Sequence, residues 1–299
     1  MKIAHLSDLH LLDLEGAVPM RLFNKRITGY VNLRFHRKSV HKRFAVEASL
    51  RELKKLAVDH LVITGDVTNL ALEREFDLVR TVLDRELGMS PDQVSLVPGN
   101  HDTYTQGSFR TQRFAQTFAS SMRSDIVLND NPFPYVRLRG PVAIIGLSTA
   151  VPRPPLVAAG QFGKQQLETL ARLLEHPEVR SRTPVFLQHH PWHNPPERLR
   201  RLLEGLYDAE EQAALLQHIE RGLLLHGHLH RRVHRVLQTR AGHIDAVGAT
   251  SASLLHERED RMAGFNVYEV DATGEIRDIS SHRYDPERQV FERVAIPTQ

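Results

Sequence analysis

The chain contains no cysteine. Disulfides and thiolate metal sites are therefore excluded, a reducing setting is permitted, and any metal must be held by histidine and oxygen donors. Long apolar runs are missing too, and none approaches the roughly 20 residues of a membrane-spanning helix. The opening Met1-Lys2-Ile3-Ala4-His5-Leu6-Ser7-Asp8 enters a strand-like segment at once, without a charged leader and apolar stretch, so a cytoplasmic location is expected. Excess charge is small, +3 over 299 residues, and does not compel a nucleic-acid partner. No repeat, low-complexity tract or linker divides the sequence, and residues 1–299 read as one domain. What is abundant is histidine, 18 residues in a composition otherwise ordinary for a soluble globular protein.

Apolar spacing alternates between the strand and helix periods. Ile3 to Leu6 reads as a strand. Val46, Leu50, Leu53 and Ala57 predict a helix, 61–64 a strand buried on both faces, Leu72, Phe76, Val79 and Leu83 a further helix, and 94–97 another strand. That succession implies parallel pairing through crossovers. Later helices are predicted over 109–123, 167–174 and about 197–221, and strands over 135–138, 142–147, 184–188 and 223–225. Beyond residue 231 short alternating strands and turns suggest a mostly antiparallel second sheet that closes the fold.

Five apolar runs end in residues that carry chemistry: Asp8-Leu9-His10, Gly65-Asp66, Gly99-Asn100-His101-Asp102, His189-His190-Pro191 and Gly227-His228-Leu229-His230. Alternation along an extended segment puts Asp8 and His10 on one side, as a chelating pair. Sites in open parallel sheets form outside the carboxyl ends of the strands, so groups distant in sequence are expected to converge there. Carboxylates, imidazoles and one amide oxygen suit two divalent ions such as Mn, Fe or Zn better than Ca or Mg.

These five strings, in this order, resemble the dispersed signature of the calcineurin-like metallophosphoesterases, D-x-H, G-D, G-N-H-[DE], H-x-P and G-H-x-H. The resemblance extends from residue 8 to residue 230. It implies an α/β fold, a two-sheet α/β/β/α sandwich with a mixed first sheet, and a strand-rich tail, 231–299, completing the second. It also implies a dinuclear centre, with Asp8, His10 and His230 on one ion, Asn100, His189 and His228 on the other, and Asp66 bridging. His189 is preferred to His190 because the family ligand stands two residues before the proline. His101 is expected to face substrate rather than metal. Two cations about 3.5 to 4 Å apart lower the pKa of a shared water enough to supply hydroxide at neutral pH. They also neutralise phosphate oxygens during in-line displacement, and a histidine beside the ligand asparagine can protonate the leaving alkoxide. Asp102 either orients that imidazole or caps the turn.

Two positions depart from relatives within the family. Asn69 stands where calcineurin-type phosphatases carry an aspartate that assists the histidine, and no arginine follows Gly99-Asn100-His101 as in phosphoprotein phosphatases. Both point toward a small-molecule phosphodiester, a cyclic nucleotide or similar, as substrate. The alternative comes from segment 20–43, where Met20, Phe23, Ile27, Tyr30 and Val31 share one helical face amid Arg21, Lys25, Arg34, Arg37 and Lys38. Such a basic amphipathic insertion reads as a packed helix or as a peripheral contact with the inner membrane surface, as suits a pyrophosphatase of the UDP-diacylglucosamine type. A DNA nuclease and a non-catalytic scaffold are weaker readings: the chain leaves little room for a DNA-capping region, and none of the ligand positions is eroded. The other histidines, His41 among them, read as surface or supporting residues, with His243 and His256 as candidates for the mouth.

Overall fold

The computed structural model describes residues 1–13, 41–103 and 105–299. The expected strand and helix alternation opens the fold. Strands β1 (Lys2–Leu6), β2 (His60–Ile63) and β3 (Val94–Leu96) pair in parallel, connected on the way by α1 (Arg43–Lys55) and α2 (Glu73–Glu86). All four residues of β2 are buried, as a strand covered on both faces requires. Between β3 and the next strand, the helix predicted over 109–123 is two short helices, α3 (Gln106–Arg110) and α4 (Arg113–Thr117), followed by a 3-10 turn. Gln112 between them has a φ of 48°, a left-handed backbone that no continuous helix accommodates.

The second sheet holds β4 (Tyr135–Arg139), β5 (Val142–Gly146), β6 (Thr183–Leu187), β7 (Arg221–His226), β8 (Val233–Gln238) and β9 (His243–Gly248), in the order β4-β5-β6-β7-β9-β8. Helix α5 (Lys164–Leu174) and the short α6 (Pro177–Arg180) join β5 to β6. The helical region predicted over 197–221 is α7 (Arg198–Glu204) and α8 (Ala209–Leu215), interrupted at Gly205. The two-sheet sandwich with a mixed first sheet is as expected; the character of the second sheet is not. Pairs β5–β6, β6–β7 and β7–β9 are parallel and only the two edge pairs antiparallel, so this sheet is mixed as well. The apolar runs 142–147, 184–188 and 223–225, buried throughout, are its parallel centre. Nor does the tail go to one sheet. Only β8 and β9 join the second, while β10 (Gly264–Val270), β11 (Ile276–Asp285) and β12 (Val290–Val294) extend the first from the free edge of β1.

Period-2 side-chain alternation builds two cores from one sheet. Ile144, Val185, Leu187, Leu223 and Leu225 face the first sheet and share a core with its inward-facing Ile3 and Val62. Their neighbours Ala143, Ile145, Phe186 and Leu224 face outward onto Leu170 and Leu173 of α5. Residues 7–10, 64–69, 97–103, 188–191 and 227–231 then all leave the carboxyl ends of β1, β2, β3, β6 and β7 at one edge of the sandwich.

Arg137 on β4 is a cation in the core, with its side chain fully buried. Its Nη1 reaches the carbonyls of Pro91, Val94 and Ser121 at 2.7–2.9 Å and its Nη2 reaches Asp92. Arg137→Ala leaves three carbonyls without this donor. At roughly 1 kcal/mol or more for each group, urea unfolding is expected to show a loss of about 3 kcal/mol; a change below about 1 kcal/mol would contradict this role.

Candidate metal centre

The strand ends converge because their backbones turn sharply. Asp8, His10, Asp66, His228 and His230 have φ between 45° and 68°, the left-handed region that non-glycine residues rarely enter. Asp8 and His10 thus meet through a turn and not through the alternation of an extended segment. Backbone bonds lock the turns together: Asp8 N donates to Gly65 O and His10 N to Asp66 O, both at 2.9 Å, and Gly227 N donates to His189 O at 3.1 Å. Gly65 takes a φ of 93°, and a Cβ there would meet Gly99 and His189. A Cβ on Gly227 would collide with Ser7 Oγ and the Asp8 carboxylate. The glycines of the motifs are there so that backbone can lie against the donors.

Asp8, His10, Asp66, Asn100, His189, His228 and His230 come together. Asp66 Oδ2 lies 3.3 Å from His189 Nε2 and 4.0 Å from His10 Nε2. Asp8 Oδ1 lies 3.0 Å from His230 Nε2 and 3.8 Å from His10 Nε2, and those two imidazole nitrogens are 3.2 Å apart. Asn100 Oδ1 is 3.2 Å from both His189 Nε2 and His228 Nδ1. The outer nitrogens are occupied by protein: His189 Nδ1 donates to Thr64 O at 2.7 Å and His228 Nε2 to Glu204 O at 3.2 Å, so the inner nitrogens carry the lone pairs. His190 is different. Its Nδ1 meets Thr149 Oγ1 and its Nε2 donates to Ala158 O, which engages both nitrogens elsewhere.

The donor set fits cations. Asp8 and Asp66 are buried carboxylates, and among the described residues no arginine or lysine is an ion-pair or hydrogen-bond partner of the seven. Asp8 Oδ1 and His10 Nδ1 are buried without a hydrogen-bond partner among the described residues. Burial works to raise Asp66, but His189 and His101 hold it well below the usual carboxylate range. Burial works to lower His189, yet Asp66 and Asp8 raise it to about 9. Burial and the neighbouring His189 push His228 down to about 3, and burial and His41 push His10 well below the usual range. Two buried acids among imidazoles offer donors that suit a divalent ion, and groups of His10, Asp66 and His101 and of Asp8, Asp66 and His189 have the spacing to hold one.

His101 is buried beside this cluster, its Nδ1 donating to Asn69 O at 2.8 Å and its amide to Asp66 Oδ1 at 2.7 Å. Asn69 therefore supports the imidazole through its backbone. Asp102 does not touch the ring: it accepts from Gly99 N, Val67 N and Thr68 N and Oγ1, clamping two strand ends. His243 starts β9 beside Arg221, at the opposite strand ends, and is not at the mouth. His256, half-buried, accepts from Arg258 N. Residues 14–40, most of segment 20–43, lie outside the described residues. Missing from the motifs is His41, whose ring lies 4.8 Å from that of His10. A lone histidine before a helix gives no sequence signal of that placement. A cavity of about 490 Å³ flanks the Gly99–His101 turn at Pro98 and Thr103, with Phe109, Phe114, Phe133 and Phe162 in its wall. A larger one, about 760 Å³, lies at the far strand ends beside Thr183 and Arg221.

Residues 1–232 match the family model for the calcineurin-like phosphoesterases. The chain belongs to that family. Its enzymes use two divalent metal ions, and the His and Asp groups of the strand ends are candidate ligands for them. A dimetal phosphatase from Danio rerio shares the fold at a TM-score of 0.59 and 15% identity, over 99% of this chain and 98% of that one. A purple acid phosphatase from yellow lupin (Lupinus luteus) seeds does so at 0.59 and 11%, over 100% of this chain and 54% of that one. No curated protein matches the chain. It is a metal-dependent phosphoric ester hydrolase.

Elemental analysis after dialysis against manganese is expected to find about two ions per chain in the native protein. Gly227→Ala, by displacing Asp8, is expected to retain one or fewer; two tightly held ions in that variant would contradict the geometry.

Proposed function

We propose that this hydrolase cleaves a phosphodiester of a small molecule, a cyclic nucleotide or similar. Asp8, His10 and His230 would hold one ion and Asn100, His189 and His228 the other, with Asp66 available to both. Mn, Fe or Zn suits these nitrogen and oxygen donors. Bound there, two divalent ions act as Lewis acids on phosphoryl oxygens and lower the pKa of water. His101, with Nδ1–H fixed on the Asn69 carbonyl, presents Nε2 toward the cluster, where it holds the proton that the leaving oxygen takes. The observation that carries the reading is this one imidazole beside seven converging donors.

The preference for a diester follows from charge and shape. A dianionic monoester end calls for a cationic side chain, and among the described residues no arginine or lysine partners the seven donors. The phenylalanine-walled cavity beside the His101 turn matches the flat, apolar part of an organic ester. With manganese loaded, the protein is expected to hydrolyse bis-p-nitrophenyl phosphate faster than the monoester. His101→Ala is expected to lower kcat about 10²–10⁴-fold while keeping both ions. No diester cleavage, or an undiminished rate in His101→Ala, would overturn the proposal.

A second reading, a membrane-surface pyrophosphatase acting on a nucleotide-linked lipid, is favoured by a different face. Leu156, Leu199 and Leu202 are 85%, 69% and 49% exposed, among Arg153, Arg198, Arg200 and Arg201. This face adjoins the centre, because Ala158 accepts from His190 and Glu204 from His228. Leucines beside arginines suit anionic lipid, and contact through 20–43 would add to them. The native protein is expected to sediment with phosphatidylglycerol vesicles and not with phosphatidylcholine ones. Leu199→Glu with Leu202→Glu is expected to release it without loss of diester hydrolysis. Absence of native binding would remove this reading.

A further inference from the structure

The cavity of about 490 Å³ beside the His101 turn carries charge as well as an apolar wall. Ser148 and Val151 place it where β5 ends, at the edge of the sandwich on which the donors gather, and its charged lining among the described residues is Arg110 and Lys164, both exposed. No described carboxylate side chain lines it. An organic group seated among the phenylalanines therefore lies in positive potential.

Arg153 adds a third cation, from the loop after β5. Its Nε donates to Ala159 O at 3.2 Å, its Nη2 donates to Gln161 Oε1 at 3.1 Å, and its guanidinium carbon sits 4.4 Å from the centre of the Tyr207 ring. Gln161 belongs to the cavity wall. The other two anchors lead to the metal centre: Ala158, next to Ala159, accepts from His190 Nε2 at 2.7 Å, and Glu204, shortly before Tyr207, accepts from His228 Nε2 at 3.2 Å. Arg153 is thus held between the cavity and the histidines.

All three anchors are neutral. A carbonyl, an amide oxygen and an aromatic face fix the guanidinium fork without cancelling its charge, and among the described residues Arg153 has no carboxylate partner. Arg231, which follows His230, is by contrast paired with Asp260 at 2.6 Å. A half-buried cation that is already immobilised gives up little freedom when an anion arrives.

We propose that Arg153 binds a second anionic group of the substrate, a carboxylate or phosphate carried by the organic part that the cavity receives. The inference rests on the phosphodiester reading above and narrows it to diesters with a further negative charge, which a plain cyclic mononucleotide lacks. Arg153 bonds none of the seven donors, so this anion lies away from the scissile phosphoryl group. A soluble ester and a lipid headgroup both supply such an anion, and the substrate is the source assigned here.

The test uses the manganese-loaded full chain and pairs of soluble p-nitrophenyl phosphodiesters, one with a carboxyalkyl chain and one with an alkyl chain of equal length, over several lengths. Both release p-nitrophenolate by the same chemistry, so the ratio of their kcat/KM values reports on the distal group. At the best length the native protein is expected to favour the carboxylate about 10–100-fold, as a hydrogen bond to a charged group does, and mainly through KM. Arg153→Ala is expected to bring the ratio near one, Arg153→Lys to keep part of it and Arg153→Glu to invert it. A purely structural role would slow both esters together and leave the ratio unchanged. A native ratio near one at every length, or a ratio that survives Arg153→Ala and Arg153→Glu, would overturn the proposal. So would loss of phosphatidylglycerol vesicle binding in Arg153→Ala with the ratio intact, which would assign the cation to lipid. A native protein that cleaves neither ester would instead contradict the phosphodiester reading on which the proposal stands.

Discussion

The carboxylate of Asp66 is the point on which the rest of the structure depends. It is 2% exposed, receives the His101 amide on one oxygen, and faces His189 and His10 with the other. His10 leaves a strand of the first sheet and His189 a strand of the second, so this one acid is where the loops of both sheets close on each other. A buried carboxylate without a cationic side chain beside it is costly unless a cation is supplied. The groups of His10 and His101 and of Asp8 and His189 that gather on Asp66 have the spacing to hold one.

Placing those donors works against local preference. A left-handed backbone at a residue other than glycine costs about 1–2 kcal/mol, and five of the strand-end residues adopt it. The sandwich holds them there. Strands buried on both faces fix the loop origins, and bonds such as Asp8 N to Gly65 O leave the turns no alternative partner. Strain of this kind collects where function requires a fixed aim. The result is a rigid ring of donors, with His101 held beside it by the Asn69 carbonyl and thus close to any phosphoryl group at the centre.

Much of this was legible in the residues. The succession of helix and strand periods from Ile3 to Leu96 reports the parallel half of the first sheet, because a strand covered on both faces is mostly apolar, its buried His5, His60 and Ser95 being hydrogen-bonded. The motif residues from Asp8 to His230 could be picked out because each ends such a run. What could not be read has physical reasons. Alternation in the tail says which face is buried but not which sheet a strand joins, so β10 to β12 were misplaced and the parallel β7–β9 pair missed. The sharp turns at Asp8 and His10 involve residues that do not advertise a left-handed backbone. Asp102, read as either orienter or cap, clamps backbone because its partners lie more than thirty residues away, at Val67 and Thr68. His41 is brought beside His10 with the help of contacts to Ser253 and Leu254, far along the chain.

The most direct test is an anomalous difference map from crystals of the manganese-loaded protein. Two peaks flanking the Asp66 carboxylate are predicted, one against Asp8, His10 and His230 and the other against Asn100, His189 and His228. A single peak, or peaks that leave Asp66 unligated, would contradict the account.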